Sequence, residues 1–451
     1  MKSWLGLVIL LAALAACGGS HPSMDGANAG MLPQRIPDAS AAPKFAHVIV
    51  MIQENRSFDN FFATYGHGAD GATSGPMIDP TTGKLETVQL TMHPLLGRDI
   101  GHTWQIYVKE YHQGKMDGFG YDGWGGWGGG GAIGAYGYQY VDPSQIAPYW
   151  TMANQYVLAD HFFETQAAGS FIGHQDLIAA GTPLSPWESL TNYPSNHPWG
   201  CDAPLGTVTT VLTNKEQLHK GPFPCMGYST LRDLLDAKGV SWKYYAPPLK
   251  SHAGDLWSAF DAIKTVRYSS EWHTNVVHPN TAIYDDIRNG SLPQFAWVLP
   301  DHDDSDHPGS PKDTGPSWIA SVVNAVGKSK YWDSTVILVT WDDWGGFYDH
   351  VKPPHLDYQG LGFRVPLLAI SAYAKKGYVA HDQYEFGSVL KFAEDNWGLG
   401  TLHHTDERAA DFVNDFFSFS QKPRTFVPIS AKYSQSYFEH RPPSYQPVDD
   451  Q

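Results

Sequence analysis

Four segments of this chain are apolar almost without interruption: residues 45–52 (FAHVIVMI), 294–299, 336–341 and 365–371. Each is short and bounded by polar or turn-forming residues, so each is expected to form a strand buried on both faces rather than a helix. Between them lie amphipathic stretches with helix start signals. Asp142-Pro143 precedes SQIAPYWTMANQY, Ser229 precedes TLRDLLDAKG, Ser317 precedes WIASVVNAVG, and a further helix is expected over residues 384–397. Strands alternating with helices predict an α/β protein: a mainly parallel central sheet with helices on both faces.

The polar residues at the strand ends sharpen this picture. Residues 45–52 run into Gln53-Glu54-Asn55-Arg56, residues 294–299 into Pro300-Asp301-His302-Asp303-Asp304-Ser305-Asp306-His307, and residues 336–341 into Asp342-Asp343-Trp344-Gly345-Gly346. Ligands of parallel sheets bind beyond the carboxyl ends of strands. One acidic pair on a turn is ordinarily just solvated, but acids and an Asn arriving from several strand ends make an oxygen-rich set suited to a hard divalent cation. Gly345 and Gly346 let backbone pass close by without a Cβ in the way.

A third element is Gly169-Ser170-Phe171-Ile172-Gly173-His174, which opens an expected helix closing at Gly181. Ser170 reads either as an N-cap or as a nucleophile facing an anion at the helix start. It lacks the Gly-x-Ser-x-Gly context of serine hydrolases, which speaks against an esterase triad. Any one of the 21 histidines is more often surface or core than catalytic, but His102, His307 and His350 each lie close in sequence to an aspartate that could orient the imidazole, as metal and phosphate sites require.

Composition narrows the partners. With 46 acidic and 30 basic residues the formal net charge is -16, and no basic run occurs, so nucleic acid is not an expected partner. The first 16 residues, one Lys and then an apolar stretch ending Leu14-Ala15-Ala16, read as a lipoprotein signal peptide, with Cys17 as the lipidated residue of the mature chain. A plain secretory signal or an uncleaved anchor is the alternative. Residues 17–43 then form a flexible tether, and Gly18 after the cysteine favours the outer membrane. The expected localisation is the periplasm or cell surface, held to the membrane by lipid.

Only Cys201 and Cys225 remain, and in an exported protein such a pair is expected to be a disulfide. It would staple an insertion over about 183–228. The catalytic domain is expected over 44–435, with 436–451 a C-terminal tail. The Gly- and Trp-rich stretch 121–137 reads as a lid or as a surface insertion.

Taken in order, HVIVMIQENRSFDNFF from His47, Gly101-His102, GSFIGHQDLIAAGT from Gly169, WKYYAP from Trp242, SDHPG from Ser305 and WDDWGGFYDHV from Trp341 resemble a known family. It is the phosphoesterase family of bacterial non-haemolytic phospholipases C and a respiratory-burst-inhibiting acid phosphatase, whose fold is akin to alkaline phosphatases. The resemblance covers about residues 45–429. It implies a metal-dependent phosphoester hydrolase, acting on a phosphomonoester or a phospholipid-type diester through a phospho-serine. Glu54, Asn55, Ser170, Asp342 and Asp343 would be the ligands of a divalent metal whose identity and number stay open. Ser170 would be the nucleophile, and His102, His307 and His350, with Asn55, would hold phosphate oxygens or protonate the leaving group.

The chain departs from the phospholipase pattern in two places. Ala168-Gly169-Ser170 stands where those members carry Gly-Pro-Thr, and Asp342-Asp343-Trp344 where many carry Asp-Glu-His. Choline specificity is therefore left open, as is the oligomeric state. A surface lipoprotein binding ligands without catalysis is the alternative from another class.

Overall fold

A computed structural model describes residues 44–121, 123 and 131–448. The expected signal peptide, Cys17, the tether, the middle of the glycine stretch and the last three residues lie outside the described residues. The described residues fall within a single compact unit.

The core is an eight-stranded sheet. In chain order its strands are β1 (His47–Gln53), β2 (Val157–Ala159), β3 (Trp242–Tyr245), β4 (Val276–Val277), β5 (Phe295–Val298), β6 (Thr335–Trp341), β7 (Leu367–Ser371) and β8 (Tyr378–Ala380). Their spatial order is β4-β3-β5-β1-β6-β7-β2-β8. All neighbours are parallel except β7, which is antiparallel to both β6 and β2. Every residue of β5, β6 and β7 is buried, as is every residue of β1 after His47, so both faces of the sheet are covered.

The helices that matter here are α1 (Phe58–Phe62), α2 (Ala147–Gln155), α3 (Ser170–Ala179), α4 (Leu231–Lys238), α5 (His252–Trp257), α6 (Gly315–Gly327), α7 (Phe386–Trp397) and α8 (Gln435–His440). One group packs α3 against α4, α5 and α7; another packs α6 against α2 and α8. Starts differ from expectation: α2 begins at Ala147, capped by Ile146 rather than Asp142, and α7 at Phe386 rather than 384. The cap of α4 is Thr230 rather than Ser229, because Thr230 and Asp233 close a reciprocal capping box. α6 begins at Gly315, with Pro316 in its first turn, so Ser317 is already inside it.

The segment 183–228 carries a four-stranded antiparallel sheet of Pro183–Ser185, Glu188–Thr191, Thr210–Thr213 and Leu218–Lys220. Cys201 and Cys225 are joined as a disulfide across 24 residues, a constraint worth about 3 kcal/mol in the chain-entropy picture. The expected C-terminal tail is in fact docked. Phe438 of α8 is buried against Trp318, and Arg441 reaches Asp301, Asp303 and Asp304 beyond β5. Those acids, buried together, need a cation, and the end of the chain supplies it.

Candidate active site

Register assembles the site. β1 lies between β5 and β6, with Met51 opposite Val298 and Gln53 opposite Trp341. The three polar strand ends therefore leave the sheet side by side. Backbone bonds lock them: Asp342 N–H donates to Gln53 O (2.9 Å), Arg56 N–H to Asp343 O (3.0 Å) and Glu54 N–H to Ser305 O (2.9 Å). Gly345, at φ 64°, passes so close that a Cβ would lie 2.2 Å from Asn55 O, a position open to glycine alone.

α3 delivers Ser170 to this edge. Trp297 Nε1 donates to Leu177 O (2.9 Å), fastening the helix to β5. Gly173 lets it descend onto Asp342, whose carbonyl would lie 2.2 Å from any Cβ there. The N-cap is Gly169, and Ser170 is the first helical residue. Its hydroxyl makes no capping bond; it lies 3.0 Å from Asp343 Oδ2 and 3.3 Å from Asn55 Oδ1. The N-cap reading of Ser170 is thus set aside by geometry. At 6 % exposed it is the most open of the group, since Glu54, Asn55, Asp342 and Asp343 are wholly buried.

His102 completes this side. Its Nδ1 lies 2.7 Å from the Ile100 carbonyl and so carries the proton, leaving Nε2 to accept from Asn55 Nδ2 at 3.2 Å. Nε2 is also 3.9 Å from Asp343 Oδ2.

Beside it is a second cluster of Glu54, Asp342 and His174, with ligand-type atoms all within 4.8 Å of one another. His174 Nε2 is 3.0 Å from Glu54 Oε1 and 3.7 Å from Asp342 Oδ2. Glu54 Oε2, Asp342 Oδ2 and His174 Nδ1 are buried without a hydrogen-bond partner. Burial pushes the Glu54 and Asp342 carboxyls well above the usual carboxylate range; the charge of Asp343 adds to both, and that of Glu54 adds at Asp342. Burial raises Asp343 as well and lowers His174. Buried acids with unpaired oxygens beside a neutral imidazole are what a divalent cation would satisfy, so the residues fit a metal. Asn55 and Asp343 adjoin the set, Asn55 N–H donating to Asp342 Oδ1 at 2.9 Å.

His174 was not among the residues singled out from sequence. Its signal was available, because it lies four residues after Ser170 and therefore on the same helical face. Trp257, at the end of α5, carried no such signal. Its ring stacks on His174 and on His307 at centroid distances of 6.4 and 6.1 Å, and His302 meets it edge-on at 6.3 Å. His307 is thereby joined to the site through Trp257. Its Nδ1 accepts from Gly309 N–H (3.2 Å), which leaves the proton of the neutral ring on Nε2. Glu164, just before α3, is buried too; burial and then the charges of Asp343 and Asp342 hold its carboxyl well above the ordinary value.

His350 is placed elsewhere, which corrects its expected role at the phosphate. After Gly345 and Gly346, both at positive φ, the chain turns away. His350 Nδ1 lies 2.7 Å from Asp59 Oδ2 and Nε2 3.2 Å from Asp70 Oδ1. Beside it, buried Arg364 forms an ion pair with Asp349 (2.8 Å). Both ring nitrogens are thus engaged by carboxylates outside the Ser170 cluster. Burial pulls the His350 pKa down, but the hydrogen bond it donates to Asp59 and the charges of Asp59 and Asp349 outweigh it and hold it at about 9. A folded value above the unfolded 6.5 means the contribution is full below about pH 6.5 and lost as pH rises to about 9. Chelator-treated protein is expected to lose roughly 2 kcal/mol of unfolding free energy across that window through this residue. His350→Gln should remove the slope; denaturant titrations that fall equally steeply in the variant would refute the assignment.

The sequence profile described as the Phosphoesterase family matches residues 45–400. The chain belongs to the phosphoesterase family. Among its relatives, it is 24 % identical to the non-hemolytic phospholipase C of Burkholderia pseudomallei, over 89 % of this chain and 63 % of that protein. It is 25 % identical to phospholipase C B of Mycobacterium tuberculosis, over 92 % and 86 %, and 23 % identical to non-specific phospholipase C1 of Arabidopsis thaliana, over 84 % and 72 %. The match spans less than two thirds of the length of the phospholipases of B. pseudomallei and Pseudomonas aeruginosa. Among solved structures, a protein of the alkaline phosphatase superfamily from Vibrio parahaemolyticus is similar, with a TM-score of 0.38 and 10 % identity over 80 % of this chain and 68 % of that one. In this phosphoesterase, the residues quoted from sequence as the mark of the family supply the ends of β1 and β6 and the start of α3.

Proposed function

We propose that this phosphoesterase is a metal-dependent phosphoester hydrolase in which Ser170 attacks phosphorus. The observation that carries the reading is the Ser170 hydroxyl at the start of a ten-residue helix, 3.0 Å from Asp343 Oδ2 and beside buried acids with unpaired oxygens. The helix start favours a bound phosphate, and Asp343 takes the serine proton as Oγ bonds to phosphorus. The leaving oxygen takes a proton from His307 in its imidazolium form, and Asn55 Nδ2, with His102 once its Nε2 is protonated, holds the phosphoryl oxygens. Water then attacks the phospho-serine, giving up a proton to the now neutral His307, and Asp343 returns its proton to Ser170 Oγ as the phosphate leaves. Glu54, Asp342 and His174, with Asn55 and Asp343 adjoining, would hold the cation, which supplies Lewis-acid stabilisation of charge on phosphate and a lowered hydroxyl pKa at Ser170.

The relatives named as phospholipases C support an ester of phosphoric acid as substrate, with a phospholipid headgroup among the options. Residues 1–16 would direct export and Cys17 would carry the lipid, placing the enzyme at a membrane surface outside the cytoplasm. That placement rests on sequence. Among the described residues no helix is long and apolar enough to cross a membrane. The test compares a chromogenic phosphomonoester with its phosphocholine diester, using metal-loaded protein with and without chelator. Hydrolysis of at least one ester, abolished by chelator, is expected, and the ratio assigns the substrate class. Turnover of neither ester would remove the reading.

A further inference from the structure

We propose a second metal site at the far edge of the sheet, formed by Asp160, His161 and His381, for a divalent transition metal of the zinc class. β2 and β8 are parallel partners there, with Ala159 opposite Ala380. Asp160 and His381 are the first residues beyond the two strand ends, tied by a bond from Asp160 N–H to Ala380 O (3.0 Å). They leave the sheet at the same end as Glu54 and Asp342, because β2 and β8 run parallel to β1 and β6. Asp70 arrives from the loop after α1, its N–H donating to Asp160 Oδ2 at 2.8 Å. Asp160 Oδ1 faces His161, and His381 lies against both carboxylate oxygens.

The spacing suits one small ion. Nδ1 of His161 lies 2.8 Å from Asp160 Oδ1, and Nδ1 of His381 lies 3.1 Å from Oδ1 and 2.9 Å from Oδ2. Ligand-type atoms of Asp160, His161 and His381 all fall within 4.8 Å of one another. A tetrahedral zinc-class ion with bonds of about 2.0–2.1 Å sets its donors roughly 3.3 Å apart, so these side chains need to open by only a few tenths of an ångström.

Donor chemistry and access point the same way. Two imidazoles and one carboxylate, with solvent completing four-coordination, suit Zn²⁺ or Co²⁺ and are too poor in oxygen for Ca²⁺ or Mg²⁺. The Asp160 side chain is fully buried, whereas His381 is 57 % exposed and Asp70 44 %, so an ion reaches the group without disturbing the core. Arg364 Nη1 holds the carbonyls of Asp70 and Asp160 at 2.9 and 2.7 Å, fixing the two carboxylate-bearing segments against each other. The net charge of -16 further favours cation uptake.

The test is a Co²⁺ titration of metal-stripped protein followed by visible absorption, with Asp342→Asn as background so that the Ser170 site is emptied. Asp342→Asn is expected to bind one Co²⁺ per chain with a tetrahedral spectrum, and Asp342→Asn/His381→Ala none. Substituting His161→Asn in place of His381→Ala should give the same loss, and circular dichroism of each sample reads the fold separately. Equal Co²⁺ uptake with and without the His381 substitution, in folded protein, would overturn the proposal, as would an octahedral spectrum.

Discussion

Ser170→Ala is expected to lower hydrolysis of the better of the two chromogenic esters by on the order of 10³-fold or more, while the bound metal stays in place. The size follows from the absence of a substitute. The hydroxyl alone stands between Asp343 Oδ2 and Asn55 Oδ1 at the helix start. Cys201 and Cys225 are bonded to each other and offer no thiol. Alanine removes the nucleophile and leaves the Glu54, Asp342 and His174 group untouched, so activity and metal content should separate. Turnover within about tenfold of wild type, with metal present, would sink the assignment of Ser170.

Asp342→Asn should act on the metal. Elemental analysis is expected to show the ion of the Ser170 site lost, with affinity down by about 100-fold or more and hydrolysis lost with it. Shape is preserved, and Oδ1 can still accept the Asn55 N–H that it holds at 2.9 Å. What disappears is one of the negative charges that burial already disfavours. The sign on stability is therefore opposite. Stripped of metal, the variant should unfold at higher denaturant than the wild type, by roughly 1 kcal/mol or more, because a carboxyl whose ionised form is disfavoured by burial and by the charge of Asp343 is gone. A variant that keeps its metal, or is less stable than stripped wild type, contradicts the role given to Asp342.

Much of this site was legible in sequence because it sits where the pattern changes most abruptly. β1, β5 and β6 are continuous apolar runs ending in acids, and the rule that ligands lie beyond strand ends brought the three ends together before their register was known. What could not be read was direction and return. Nothing in the apolar run of β7 distinguishes an antiparallel strand from a parallel one, since burial on both faces erases the alternation that would mark it. His350 looked like a site residue because it follows Gly345 and Gly346. Those same glycines turn the chain away, toward Asp59 and Asp70. His174 was passed over although its segment was singled out for Ser170. The docking of Arg441 on Asp301, Asp303 and Asp304 joins residues far apart in sequence, which no local pattern records.

The central position of β1 has a consequence for how this enzyme comes into being. The strand pairs residue 48 with residues 295 and 336, so its two partners are synthesised long after it. Contacts so distant along the chain impose a heavy loop-closure cost and slow folding. Glu54 and Asn55 acquire their neighbours only when that closure happens, so no early fragment of the chain can hold a partial version of the catalytic centre. Forming the fold is the step that brings Ser170 and the acids beside it together.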